Sequence, residues 1–165
     1  SRIKSMAIVH ELLYKSDTFS EINIREYLGK LGNHLQASLS NINSVTVLDS
    51  EADTALNINL AVPLGLLLYE LAFYLCAEIT ENESTMDLYL QMIKAGDVFC
   101  LKISSPQSGL PKPFINENNS TLRMNLIKTL LTQTEGDMIF PSSDTLLIEI
   151  KFKTTLKKGS SSTLV

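Results

Sequence analysis

The stretch Pro63–Thr80, PLGLLLYELAFYLCAEIT, decides the fold of this chain. Pro63 suits the first turn of a helix, where its missing N–H costs nothing. Leucines then recur at steps of three and four, which is the pattern of one apolar helix face. The other side carries aromatic rings, so the predicted helix is apolar on nearly all sides and belongs in the centre of a core. The leucines are Leu64, Leu67, Leu68, Leu71 and Leu75, and the rings are Tyr69, Phe73 and Tyr74.

The composition fits one globular domain with a small appendage. The 165 residues are 44% hydrophobic and 19% charged, which is enough for a sizeable core. A formal net charge of −4 argues against nucleic acid as a partner, because that needs a basic surface. The longest apolar run, Leu64–Leu68, is too short to span a membrane, and the N-terminus lacks a signal-peptide pattern. Cys76 and Cys100 lie in apolar contexts and are predicted to be buried free thiols of a cytoplasmic protein.

Two helices and two strands are predicted before the central helix. A helical stripe extends from about Arg2 to Lys15, and a second helix starts near Asn23, which has capping-box spacing with Glu26. Val45–Leu48 and Ala55–Leu60 read as strands because they are β-branched or alternate apolar and polar residues. The first stripe consists of Ile3, Met6, Val9, Leu12 and Leu13.

The second half of the chain predicts two hairpins separated by a loop and a helix. Met86–Met92 and Val98–Ile103 flank a turn at Lys94–Asp97, and Ser104–Asn119 is a proline-rich loop. A helix follows from about Ser120 to Gln133, with Gly136 past its end. Its inward residues are predicted to be Leu122, Leu126 and Leu130; the last strands are Asp137–Phe140 and Thr145–Phe152, and Lys157–Val165 reads as disordered. The order predicts an α+β fold, a two-layer α/β sandwich with helices on one face of a mixed, mostly antiparallel sheet.

Five segments resemble sensor histidine kinases of the HisKA_2 subclass. RIKSMAIVHELLYKSDTFSEINIREYL (Arg2–Leu28) resembles the second helix of the dimerisation hairpin and the first helix of the ATPase domain. AVPLGLLLYELAFYLC resembles the family helix P-L-G-L-I-x-N-E-L-x-x-N-A-x-K, and SPQSGLPKPF takes the place of the D-x-G-x-G-L-P loop. STLRMNLIKTLLTQTEGDMIF and IEIKF resemble the segments that close the domain.

The resemblance implies a histidine-kinase-type ATPase, or Bergerat-like, fold of the GHKL group. It divides the chain into residues 1–18, the second helix of a dimerisation hairpin; residues 19–153, an ATPase-like domain; and residues 154–165, a flexible tail. The first hairpin helix, which carries the phosphoacceptor histidine in the family, is expected to precede Ser1. His10 belongs to the second-helix pattern and is interpreted as a partly packed helix residue, and His34 is interpreted as a packed one.

The departures from the family pattern lie where the family binds Mg²⁺ and ATP. The two metal-binding asparagines are replaced by Tyr69 and Tyr74, and a phenol is a poor ligand for a hard cation at neutral pH. The adenine-binding aspartate aligns with Ser105, and a phosphate-loop glycine aligns with Arg123. The other loop glycines align with Gln107 and with Gly109, which is retained. Glu70 remains at the position of the water-activating glutamate and is interpreted as a remnant.

The aligned differences imply a non-catalytic pseudokinase module that serves a two-component phosphorelay through protein contact. No cofactor is expected, and no catalytic or metal-binding residue is assigned. The alternatives are an active ATP-dependent kinase with Mg²⁺ and unusual ligands, a histidine phosphotransfer protein if an upstream helix carries the histidine, or a plain dimerisation domain. The predicted partner is a second copy, a helical protein or a response regulator. The predicted interaction surface comprises Ile3, Met6, Val9, His10, Leu12 and Leu13.

Overall fold

The structure is a computed structural model that describes residues 2–14, 20–48, 54–77, 85–107 and 121–155. These ranges contain four helices and seven strands. In chain order the elements are α1 (Arg2–Tyr14), β1 (Glu21–Asn23), α2 (Ile24–Ser38), β2 (Ile42–Val47), β3 (Ala55–Asn57), α3 (Ile58–Ala77), β4 (Met86–Ala95), β5 (Val98–Ser104), α4 (Leu122–Gln133), β6 (Asp137–Ile139) and β7 (Leu146–Lys153).

One five-stranded sheet forms a layer of the molecule, in the order β2-β4-β5-β7-β6. The β2–β4 pair is parallel and the other three pairs are antiparallel, while β1 and β3 form a separate antiparallel pair. The register aligns Leu90 with Ile103 and Leu101 with Ile150, and all four side chains are buried. Because alternate residues of a strand share a face, one face of the sheet is apolar and closes against the helices. The predicted α+β sandwich is confirmed.

The central helix, α3, is longer at its start than the sequence suggested. It begins at Ile58, so Ala55–Leu60 is not one strand: only Ala55–Asn57 is extended. Pro63 therefore lies inside the helix and not in its first turn. By length and composition α3 is the one described helix that would suffice to cross a membrane, but 67% of its apolar window is buried inside the fold. A core helix passes the same test, and α3 is that helix here.

Helix α2 fixes the position of α3 through one tyrosine. The Tyr27 hydroxyl, fully buried, donates a hydrogen bond to the carbonyl of Ala61. The Tyr27 hydroxyl also lies where a Cβ on Gly65 would be, so only glycine admits it. At the start of α2 the predicted cap is confirmed, since the Asn23 side chain accepts a hydrogen bond from the Glu26 N–H.

In helix α4 and the following turn, the buried residues and the residue with positive φ differ from those predicted. Leu122 is 81% exposed, whereas the buried residues of α4 are Met124, Ile127 and Leu130. The predicted inward position is confirmed for Leu130, Leu126 is half-buried against the core, and only Leu122 is wrong. Beyond the helix the left-handed residue is Glu135, with φ 48°, and Gly136 donates its N–H to the carbonyl of Leu131. In the β4–β5 hairpin the predicted glycine, Gly96, does adopt φ 63°.

Helix α1 packs on α3 and α2 of its own chain. Val9 and Leu12 are buried in the common core, so the appended helix is part of the folded body. At the other end, Thr154 donates its N–H to the carbonyl of Asp97, which ties the first residue of the predicted tail to the hairpin turn. The residues predicted to be disordered, Lys157–Val165, lie outside the described residues. Cys100 is half-buried, not buried as predicted.

Candidate functional site

Three elements carry the candidate site residues. Tyr69, Glu70 and Tyr74 lie on α3, Ser105 and Gln107 follow the end of β5, and Arg123 lies in the first turn of α4. Gly109 lies outside the described residues. Five of these residues form three separate contacts. The sequence did not predict the partners in any of them. The five are Tyr69, Glu70, Ser105, Gln107 and Arg123.

The first contact is an ion pair between α3 and α4. The Glu70 carboxylate, with a side chain 0% exposed, lies 2.5 Å from Nη1 of Arg123, which is 28% exposed. The Arg123 guanidinium also stacks on the Phe73 ring, with its Cζ 3.6 Å from the ring centroid. Glu70 and Phe73 are three residues apart and therefore share one side of α3. The buried Glu70 carboxylate is thus bonded to a cation of the same chain.

The second contact places Tyr69 against α2. The Tyr69 ring stacks on the ring of His34, with centroids 5.8 Å apart and an angle of 15° between the planes. His34 is buried, and its Nδ1 lies 3.1 Å from the Ser38 hydroxyl. His34 is therefore a packed helix residue, as predicted. Tyr69 packs on the core while half-buried, and Tyr74 is also half-buried.

The third contact is a hydrogen-bond network beside the ends of β2 and β5. The buried Ser105 donates its hydroxyl to Oε1 of Gln107 at 2.8 Å, and the same oxygen accepts the backbone N–H of Asp87 at 3.0 Å. Asp87 in turn accepts hydrogen bonds from the side chains of Ser44 and Asn43. These two donors lower the pKa of the Asp87 carboxyl below its ordinary value. Ser105 and Gln107 are therefore bonded to each other and, through Gln107, to Asp87 of β4.

These side chains form a poor site for a hard cation. Mg²⁺ requires oxygen ligands in near-octahedral geometry, and neutral phenols supply weak ones. Glu70 is the one carboxylate among the candidate residues, and it is engaged by Arg123. Among the described residues there is no group of three His, Cys, Asp or Glu side chains that could hold a metal ion. Burial raises the pKa of the Cys76 thiol to about 11, so that thiol is protonated and weakly nucleophilic at neutral pH.

The predicted interaction stripe on α1 separates into two faces. Ile3 and Met6 are 79% and 50% exposed, whereas Val9 and Leu12 are 2% and 4% exposed. His10 is exposed, with its ring 6.1 Å from that of Tyr14, so it is less packed than predicted. The Leu13 side chain lies outside the described ones. The outward face is completed by Tyr14, at 82% exposed, which the sequence analysis missed although it lies four residues beyond His10.

Comparison with known proteins places these contacts in a fold. The HisKA_2 family model, described as histidine kinase, matches residues 1–39. The histidine kinase domain of the blue-light activated kinase EL346 from Erythrobacter litoralis aligns over 93% of this chain and 73% of its own, with TM-score 0.71 and 12% identity. The chain has the fold of a histidine kinase catalytic domain. No curated protein matches the sequence.

Two longer structures share the histidine kinase fold. The EL346 kinase aligns over 95% of this chain with TM-score 0.73 and 12% identity. The histidine kinase ThkA, in a complex with the response regulator protein TrrA, aligns over 93% with TM-score 0.55 and 12% identity. This chain spans 48% of each of these two proteins. The resemblance inferred from the sequence is thereby confirmed at the level of the fold.

Proposed function

We propose that this domain is a non-catalytic signalling module, a pseudokinase with the histidine kinase fold. It serves a two-component phosphorelay in the cytoplasm through protein–protein contact and binds neither ATP nor Mg²⁺. The observation that carries the proposal is the ion pair between Glu70 and Arg123, at 2.5 Å. The guanidinium engages one carboxylate oxygen and places a positive charge beside it, which leaves Glu70 less available to a metal ion or to water.

Two further contacts support the same conclusion. The rings of Tyr69 and Tyr74 stand where the resemblance implies metal-binding carboxamides, and the Tyr69 ring is stacked on His34. The side chains of Ser105 and Gln107 form hydrogen bonds with each other, and that of Gln107 also bonds Asp87. Losses at metal, phosphate and adenine contacts remove different parts of one binding energy, so together they lower affinity far more than any single loss.

Calorimetric titration of the domain with ATP and Mg²⁺ tests the proposal. We expect no saturable heat up to millimolar nucleotide. A dissociation constant in the micromolar range corresponds to about 8 kcal/mol of specific contacts and would sink the proposal in favour of an active kinase with divergent ligands. The matched control is ADP without metal, which reports weak electrostatic binding.

The proposed partner is a second copy of the chain, a helical protein or a response regulator. ThkA, which shares the fold, has been crystallised in complex with a response regulator. In this chain the outward face of α1, formed by Ile3, Met6, His10 and Tyr14, offers exposed apolar surface of the kind that associates. A phosphotransfer role applies only if an upstream helix supplies a phosphoacceptor histidine, and phosphorylation of the full-length protein by a phosphodonor tests that variant.

A further inference from the structure

Arg123 occupies an unfavourable place in its helix. It lies two residues after the N-cap Thr121, whose side chain accepts the N–H of Met124. A cation in the first turn of a helix is opposed by the helix dipole. A carboxylate beside the same turn is favoured by that dipole. The position of Arg123 is therefore explained by what its side chain reaches, which is Glu70 on α3.

Glu70 needs this partner. Its side chain is 0% exposed, and an ionised carboxylate buried without compensation is costly enough that breaking such a pair strongly destabilises a fold. The Arg123 guanidinium donates a charge-assisted hydrogen bond to Glu70, and its flat face lies on the Phe73 ring. A lysine in the same place lacks the planar guanidinium face that lies on Phe73, so it is a weaker substitute.

We infer that Glu70, Phe73 and Arg123 form an intramolecular lock that fixes the first turn of α4 on α3 without any ligand. The lock closes the region between the two helices, so that α4 has the same position whether or not nucleotide is present. Further along α4, Ile127 and Leu130 belong to the common core, whereas the first turn carries Arg123 and the buried Met124. The ion pair therefore acts mainly on the N-terminal end of α4. The signalling consequence, a permanently closed site, rests on the proposed function, but the mechanical lock does not.

Amide hydrogen exchange of the whole chain, read by mass spectrometry over residues 121–133 without nucleotide, tests the lock. We expect Arg123→Ala to exchange about tenfold faster or more than wild type in the first turns of α4, equivalent to about 1.4 kcal/mol of lost local stability. Arg123→Lys should fall between the two. Lys128→Ala, on an exposed position of the same helix, is the matched control and should leave the exchange unchanged.

A double-mutant cycle keeps the test decisive if single variants lose stability. Glu70→Gln removes the charge that Arg123 neutralises, so Arg123→Ala should cost less in the Glu70→Gln background than in wild type. Additive effects of the two substitutions, or equal exchange in wild type and Arg123→Ala, would overturn the lock. Failure of the proposed function has a different signature, namely saturable Mg-ATP binding to the wild type in calorimetry. Because the exchange is measured without nucleotide, the two results are independent.

Discussion

At the scale of single residues, a few polar atoms in the core determine how α3 is seated. Tyr27 is buried on every side, and burial raises the pKa of its phenol above the ordinary value, so the hydroxyl stays protonated and can donate. It bonds the Ala61 carbonyl, two residues ahead of Pro63 in α3. A proline inside a helix has no N–H to donate to the preceding turn. The hydroxyl from α2 therefore supports α3 beside the turn in which its own hydrogen bonding is incomplete.

We predict that Tyr27→Phe destabilises the domain by about 1–3 kcal/mol, because the buried Ala61 carbonyl loses the hydrogen bond from the Tyr27 hydroxyl. Urea denaturation measures the change. Tyr14→Phe, at a position that is 82% exposed, is the control and should stay within about 0.5 kcal/mol of wild type. An unchanged midpoint for Tyr27→Phe would show that the Ala61 carbonyl does not depend on this hydrogen bond.

The aromatic residue in place of the first asparagine leads to a second prediction. Tyr69 stacks on His34, so Tyr69→Asn should destabilise the domain by about 1–2 kcal/mol through loss of a half-buried ring and its stacking partner. Tyr69→Phe keeps the ring and should be close to wild type. If Tyr69→Asn left the urea midpoint unchanged, the stacking would contribute nothing, and the ring would be a surface group.

At the scale of elements, α1 illustrates how one helix can serve two purposes. Its inward residues Val9 and Leu12 complete the core against α2 and α3, while Ile3 and Met6 face outward. The sequence stripe alone predicted one interaction face. An apolar helical stripe becomes ambiguous when the helix is apolar on two sides, because periodicity assigns residues to a face but does not say what covers that face.

We predict that Met6→Glu weakens self-association or partner binding without changing the free energy of unfolding of the domain. Val9→Glu should instead destabilise the fold by about 3 kcal/mol or more, since it would bury an unpaired charge. Sedimentation velocity and urea denaturation on both variants separate the two effects. If the wild type stays monomeric at high concentration and binds no helical partner, the outward face of α1 is not an interaction surface.

At the scale of the whole molecule, one network joins strands that are far apart in the chain. Asp87 at the start of β4 bonds the side chains of Ser44 and Asn43 in the parallel strand β2, and Gln107 beyond β5. Parallel strands are connected through long crossovers, here by way of β3 and α3. The network therefore helps to secure the one parallel pairing in the described sheet.

The lowered pKa of Asp87 predicts a stability that depends on pH. In the folded state the ionised form is favoured by two side-chain donors, of which Ser44 has the larger effect and Asn43 the smaller. That contribution is present above the unfolded pKa and is lost as the pH falls from about 4 through the lower folded pKa. The free energy of unfolding of the wild type should therefore exceed that of Asp87→Asn at pH 7, and the difference should shrink towards pH 3. A difference that stays constant over this range would assign the stabilisation to something other than the charge of Asp87.

The sequence by itself determined the architecture, because hydrophobic periodicity is a local signal. It predicted the central helix, the β4–β5 hairpin with Gly96, the Asn23 cap and the fold class. It misplaced the start of α3, since Ala55–Leu60 alternates apolar and polar residues as a strand does although its second half is helical. It also placed Leu122 in the core, although this side chain is exposed. Which face of α4 meets the core depends on how the helix packs.

Only the tertiary structure decided the chemistry of the candidate site. The resemblance to the family singled out Glu70 as a retained residue and Arg123 as a departure, 53 residues apart in the chain, and did not connect them. Three contacts depend on how α2, α3 and α4 pack: the ion pair, the stacking of Arg123 on Phe73 and the stacking of Tyr69 on His34. No local pattern encodes a contact between distant positions. For the same physical reason the sequence singled out Ser105 and Gln107 but not Asp87, Ser44 or Asn43, because a parallel strand pairing is fixed by the fold as a whole.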